Sequence, residues 1–217
     1  SNCGQDSPKW MGKCPNCGQW NTFKEIRIGS DTSQSTARSV VNAFKGNTEK
    51  NKPLRLKDIS TLDEPRIDMH DDELNRVLGG GLVSGSITLL GGEPGIGKST
   101  LTLQTILQMT DKRVLYVSGE ESAHQLKMRA ERLSKAESDH VVILCETSLE
   151  LIFEQIKTVK PELVVIDSIQ TIATEHVESS PGSISQVREC AALLLHFAKN
   201  SGIPVILIGH INKEGTL

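Results

Sequence analysis

The chain has 217 residues, of which 37% are apolar, 24% charged and only 3% aromatic, the composition of a soluble α/β domain with a small appendage and without stacking platforms for bases or sugars. Its longest apolar runs, Leu163–Ile166 and Val205–Ile208, fall far short of the roughly 18 residues a membrane span needs, no charged-then-apolar leader stands at Ser1, and five cysteines in so long a chain exclude a secreted disulfide scaffold. The net charge of −3 conceals a basic front of +5 over residues 1–55 and an acidic body of −8 over residues 56–217, which suits either a polyanion partner or a solvated tail.

In chain order, residues 1–27 carry Cys3, Cys14 and Cys17 among glycines and tryptophans and read as a small metal module. Residues 28–53 are rich in Ser, Thr, Asn and Lys and poor in large apolar residues, so they read as a linker that cannot bury enough surface to fold alone. Over residues 54–217 short β-type runs alternate with amphipathic stretches, the pattern of a parallel sheet with crossover helices. Strands are expected at Ser86–Leu90, Arg113–Ser118, Val141–Cys145, Leu163–Asp167 and Pro204–Gly209. Helices are expected between them at Lys98–Met109, Ser122–Leu133, Leu149–Val159 and Ser183–Lys199. The last carries an apolar stripe of Val187, Cys190, Ala191, Leu194, Leu195 and Ala198 at helical spacing. Cys145 and Cys190 lie on these apolar elements and read as small buried hydrophobes rather than reactive thiols.

The segment Gly92-Glu93-Pro94-Gly95-Ile96-Gly97-Lys98-Ser99 fits the phosphate-loop pattern in full, directly after one strand and at the opening of a helix. Gly92, Gly95 and Gly97 let the backbone curl with its N–H groups inward, and the helix aims its positive end at the same anion. In that chemistry Lys98 bridges the outer phosphates and the Ser99 hydroxyl ligates Mg²⁺. The alternative, a glycine-rich turn that binds nothing, does not explain so complete a match in this strand–helix setting.

Further catalytic parts follow along the chain. Leu163-Val164-Val165-Ile166-Asp167 is an apolar strand ending in an acid, placing Asp167 either in the Mg²⁺ shell or as a turn cap. The next residue is Ser168, so a water-activating base must come from elsewhere. The strand Val114–Ser118 runs into Gly119-Glu120-Glu121, and strand carboxyl ends face the ligand crevice of open α/β sheets. Glu120 is the expected base, whereas Glu121 serves equally as a first-turn helix residue. His210, after the strand Val205–Gly209, is either a phosphate sensor or a surface residue.

Together these residues resemble the RecA-like P-loop ATPase superfamily, which includes the ring helicases, and within it the RadA (Sms) family of bacterial DNA-repair ATPases. The resemblance is carried by Arg76-Val77-Leu78-Gly79-Gly80-Gly81-Leu82-Val83, Gly91-Gly92-Glu93-Pro94-Gly95-Ile96-Gly97-Lys98-Ser99-Thr100, Tyr116-Val117-Ser118-Gly119-Glu120-Glu121-Ser122 and Val165-Ile166-Asp167-Ser168-Ile169-Gln170-Thr171, with Gly209-His210 and Lys213-Glu214-Gly215-Thr216-Leu217 behind them. It covers nearly the whole chain. It implies an α/β fold, a RecA-like core with a mainly parallel sheet preceded by a truncated zinc-finger segment. It also implies a four-cysteine finger, of which Cys3, Cys14 and Cys17 are present and the first cysteine would precede Ser1; with three thiolates the finger is expected to be metal-free or disordered here, with Zn²⁺ bound in the complete protein.

The same resemblance implies binding of ATP and ADP with Mg²⁺ at Gly92, Glu93, Pro94, Gly95, Ile96, Gly97, Lys98, Ser99 and Thr100, with Lys98, Glu120, Asp167 and His210 catalytic. It implies DNA-dependent ATP hydrolysis coupled to branch migration in a cytoplasmic homohexamer, acting on single-stranded and branched DNA with the recombinase RecA as partner and no membrane. DNA would be gripped by loops at about Thr174–Ser185 and after His210, although the first holds Glu175 and Glu178 and no Lys or Arg. The family continues into a Lys-Asn-Arg-Phe-Gly motif and a Lon-like domain, so the chain is expected to be a fragment that binds nucleotide and turns it over poorly. Asp68-Met69-His70-Asp71-Asp72 departs from a Thr-Gly-containing stretch usual in the family, with no catalytic consequence expected. Two other readings stay open: a nucleotide-gated assembly ATPase without motor activity, and a small-molecule kinase, for which only Arg129 and Arg132 lie close together, as a solvated face.

Overall fold

A computed structural model describes residues 12–13, 15–20, 53, 55–58, 66–133 and 138–210. By internal contact the chain forms two compact units, Ser1–Thr32 and Ser33–Leu217. In the first, Lys13 and Trp20 form an antiparallel bridge and the Lys13 ammonium stands 5.8 Å from the Trp20 ring centre. Cys17 is exposed there, while Cys3 and Cys14 lie outside the described residues.

The second unit is built from strands and helices in alternation. A first pair of two-residue strands, β1 (Arg66–Ile67) and β2 (Leu82–Val83), is antiparallel and encloses α1 (Asp72–Val77). Then follow β3 (Ile87–Gly92), α2 (Lys98–Gln108), β4 (Val114–Ser118), α3 (Ala123–Leu133), β5 (Val141–Cys145), α4 (Leu149–Val159), β6 (Leu163–Asp167), α5 (Ile184–Ser201) and β7 (Val205–His210). The sheet has five strands in the order β3-β7-β6-β4-β5, all parallel. Among the described residues no helix is long and apolar enough to cross a membrane.

Alternation along each strand divides the core in two. Leu115, Val117, Val164, Ile166, Val205 and Leu207 face α4 and α5, where Phe153 and Phe197 meet with ring centres 5.5 Å apart. Val114, Tyr116, Val165, Ile206 and Ile208 face α2 and α3. The central strands β4 and β6 are buried at every position, which is why they read as unbroken apolar runs. Helix ends follow local rules: Ser148 and Ser183 cap α4 and α5 through their hydroxyls, and Gly202 closes α5 in the left-handed conformation at φ 74°.

Several expectations needed adjustment. The α5 stripe is shifted: Leu193 and Phe197 are buried with Val187, Cys190, Leu194 and Ala198, whereas Leu195 is 40% exposed. Cys145 is exposed rather than buried, because β5 ends the sheet and this residue closes the strand. The departure at Asp68–Asp72 has a structural use: Asp71 caps α1 by accepting from the Leu74 amide at 2.8 Å, and Asp68 accepts from Asn75 at 2.6 Å. After α1, Gly81 at φ 120° does not admit a side chain, since a Cβ would lie 2.3 Å from the Ile67 carbonyl oxygen.

Candidate functional site

The ends of β3, β4, β6 and β7 share one edge of the sheet, and the chemistry-bearing residues collect there. The loop from β3 to α2 turns through Gly95 at φ 82° and Gly97 at φ 98°, and nothing lies within 4 Å of a Cβ placed at either. Gly97 caps α2 with no side-chain hydrogen bond, so the first amides of the helix are left for a ligand. A concave loop of amides, open at two glycines and uncapped by its own chain, fits a phosphate group.

Lys98 is 7% exposed, and its ammonium is held under this loop. It donates to the carbonyls of Gly92 and Glu93, both at 2.8 Å, and lies 3.3 Å from His210 Nδ1. An ammonium has three N–H donors and no acceptor, so Nδ1 of His210 must be the accepting nitrogen and Nε2 carries the proton. That Nε2 lies 3.3 Å from Oε1 of Glu120. The same oxygen accepts from the Ser168 hydroxyl at 2.7 Å. Lys98, His210, Glu120 and Ser168 therefore form one continuous polar chain across three strand ends. It forms because β7 lies between β3 and β6, with Gly92 in register with His210.

Asp167 ends β6 and is 8% exposed. Its Oδ2 accepts from the buried Tyr116 hydroxyl. Burial, and then the Asp167 charge, push the Tyr116 phenol far above its ordinary range, so it keeps the proton that it donates to Asp167. Among the described residues no three His, Cys, Asp or Glu side chains gather as a self-contained metal site. One carboxylate and one hydroxyl, Asp167 and Ser99, suit a Mg²⁺ that takes its remaining ligands from water and phosphate oxygens.

Glu121 does not open α3, which begins at Ala123. It pairs with Arg129 instead, and its Oε2 is buried without a hydrogen-bond partner among the described residues. Arg129 is thus half-buried and tied down rather than part of a solvated face, whereas Arg132 on the same helix is exposed. The sequence reading missed Tyr116 and Gln170. Gln170 donates to the His210 carbonyl at 3.0 Å while its Oε1 is buried without a partner among the described residues. Its position after Asp167-Ser168 was the available signal. The Thr174–Ser185 loop is organised by Gln186, whose amide bonds the Thr174, Val177 and Ser179 carbonyls at 2.9–3.1 Å. The segment after His210 lies outside the described residues.

Comparison with known proteins agrees with this fold. Residues 1–25 match the rubredoxin metal binding domain family, and residues 50–216 match the AAA domain family. The chain is 49% identical to the DNA repair protein RadA of Listeria monocytogenes and 47% identical to that of Bacillus subtilis, in both cases over 99% of this chain and 46% of the relative. It is 46% identical to RadA of Pseudomonas aeruginosa over the same shares. The chain thus spans about half the length of the curated relatives it matches. A KaiC-like protein from the archaeon Pyrococcus horikoshii shares the fold, with a TM-score of 0.56 and 23% identity over 70% of this chain and 74% of that one. With its phosphate loop, its parallel sheet and its acid-tipped strands all matched within residues 50–216, the chain belongs to the AAA domain family of RecA-like P-loop ATPases, where the RadA DNA repair proteins are its relatives.

Proposed function

We propose that this chain is the nucleotide-hydrolysing part of a DNA-dependent ATPase of repair and recombination. One observation carries the reading: the phosphate loop, Lys98, Glu120, Asp167 and His210 come from four separate strand ends and meet at one edge of the sheet. The amides of residues 92–100 hold the phosphates, and Lys98 exchanges its carbonyl partners for phosphate oxygens. Asp167 and Ser99 would hold Mg²⁺, which would offset phosphate charge. Glu120 accepts the proton of the water that attacks the terminal phosphorus, as the bond to the ADP oxygen breaks. His210 senses that phosphate through Lys98 and Glu120 and passes its loss to the segment that follows β7.

In the complete protein we assign residues 1–27 to a zinc finger using Cys3, Cys14 and Cys17 with a further ligand, residues 28–53 to a linker, and residues 54–217 to the ATPase domain. DNA, single-stranded or branched, is the partner that turns hydrolysis into movement, in a homohexamer acting beside RecA. The test is ATP hydrolysis by the full-length protein with and without single-stranded DNA. Stimulation is expected. Equal rates would favour a nucleotide-gated assembly ATPase, a reading supported by the loop Thr174–Ser185, which carries Glu175 and Glu178 and no Lys or Arg.

A further inference from the structure

Asp167 and Glu120 end neighbouring strands, and each is held by a hydroxyl from the other's strand. Tyr116 of β4 reaches across to Oδ2 of Asp167 at the end of β6. Ser168, the residue after β6, reaches back to Oε1 of Glu120, just beyond β4, at 2.7 Å. The strands are in register at this point, Tyr116 opposite Val165 and Ser118 opposite Asp167, and the Gly119 amide donates to the Asp167 carbonyl at 3.0 Å. Both donors are 0% exposed.

A hydroxyl is costly at either place. The Tyr116 ring packs among Val114, Val165 and Ile208, where phenylalanine would fill the same volume without a polar atom to desolvate. Its single hydrogen goes to one oxygen of Asp167 and so fixes the carboxylate plane, leaving the other oxygen to point to one place. Ser168 likewise occupies one oxygen of Glu120 from the sheet side.

We propose that Tyr116 and Ser168 are a reciprocal pair of positioning residues: Tyr116 sets the carboxylate that meets Mg²⁺, and Ser168 sets the carboxylate that meets the attacking water. This rests on the roles assigned to Asp167 and Glu120 above. Because each hydroxyl crosses to the other strand, a slip of β4 against β6 would misplace both acids together, so the pair ties metal and base to one register.

The two halves are separable by measurement on the full-length protein. A fluorescent ADP is titrated with and without Mg²⁺, Mg²⁺ half-saturation is read from its gain in affinity, and steady-state ATP hydrolysis is followed beside it. In Tyr116→Phe, Mg²⁺ half-saturation should rise about 10–100-fold while metal-free affinity stays within about twofold, as expected on losing a partner that orients a metal ligand. In Ser168→Ala, kcat should fall about tenfold or more with Mg²⁺ half-saturation unchanged. If melting shows that variant unfolded, Ser168→Cys, which keeps the side-chain shape with a slightly larger atom and donates only weakly, carries the same expectation. A folded Tyr116→Phe with wild-type Mg²⁺ half-saturation, or a folded Ser168 variant with wild-type kcat, overturns the pair. Asp167→Asn separates the two levels. If it keeps wild-type Mg²⁺ half-saturation, the role of Asp167 itself is wrong; if it loses it while Tyr116→Phe does not, only the positioning role fails.

Discussion

Replacing Lys98 by alanine separates binding from folding. The ammonium is 7% exposed and donates to the Gly92 and Glu93 carbonyls at 2.8 Å each. Those carbonyls belong to half-buried and exposed residues, so water can replace the lost donor and little stability depends on it. The expected change is within about 1 kcal/mol, a melting shift of roughly 2–4 °C for a domain of this size. Phosphate is different. A charge-assisted hydrogen bond to an anion is worth about 1.5–3 kcal/mol, so affinity for ADP should fall about 10–150-fold. Hydrolysis should fall further, because the developing charge on the terminal phosphate loses its nearest cation. Titration of a fluorescent ADP beside a thermal melt reads both quantities. An affinity within about threefold of wild type, at an unchanged melting temperature, would refute the assignment of the cradle.

Other outcomes follow from packing and exposure. Gly119→Ala would place a Cβ 2.0 Å from Thr171 Oγ1 and 3.3 Å from Thr147 Cγ2. Overpacking there should cost about 1–3 kcal/mol in urea unfolding, with ATP hydrolysis reduced beyond that loss because Glu120 is the next residue. Phe197→Ala opens the core between α5 and the sheet, and should cost about 3–5 kcal/mol with an unchanged denaturant slope; a loss under 1 kcal/mol would contradict the packing. Burial pushes the Cys190 thiol up to about 12, so iodoacetamide at pH 8 should label exposed Cys145 and reach Cys190 only after denaturation, as read by mass spectrometry. The sign of the linkage is fixed: between about pH 9 and 12 the folded thiol keeps a proton that the unfolded one loses, so this residue's contribution to stability falls as pH rises through that window.

Much of this is legible in the sequence. The bounds expected for Val141–Cys145, Leu163–Asp167 and Leu149–Val159 are the bounds observed, because a short apolar run in a strand, whether wholly buried as in Leu163–Asp167 or partly as in Val141–Cys145, and an apolar stripe on one face of a helix are recorded in contiguous residues. The β1–β2 pair left no such record, since two-residue strands are too short to show a period. Arg129 read as solvated because a single helix face does not reveal an acid on the preceding loop, and Cys145 read as buried because apolar context does not tell an edge strand from a central one. The phosphate loop could be identified from eight adjacent residues, since curled backbone and helix start are local properties of glycine spacing. Which side chains complete the site was decided by sheet order alone. Lys98 meets His210 across 112 positions, Tyr116 meets Asp167 across 51 and Ser168 meets Glu120 across 48. Nothing local encodes those meetings: they exist because burying both faces of a parallel sheet sets β7 between β3 and β6, and β4 beside β6.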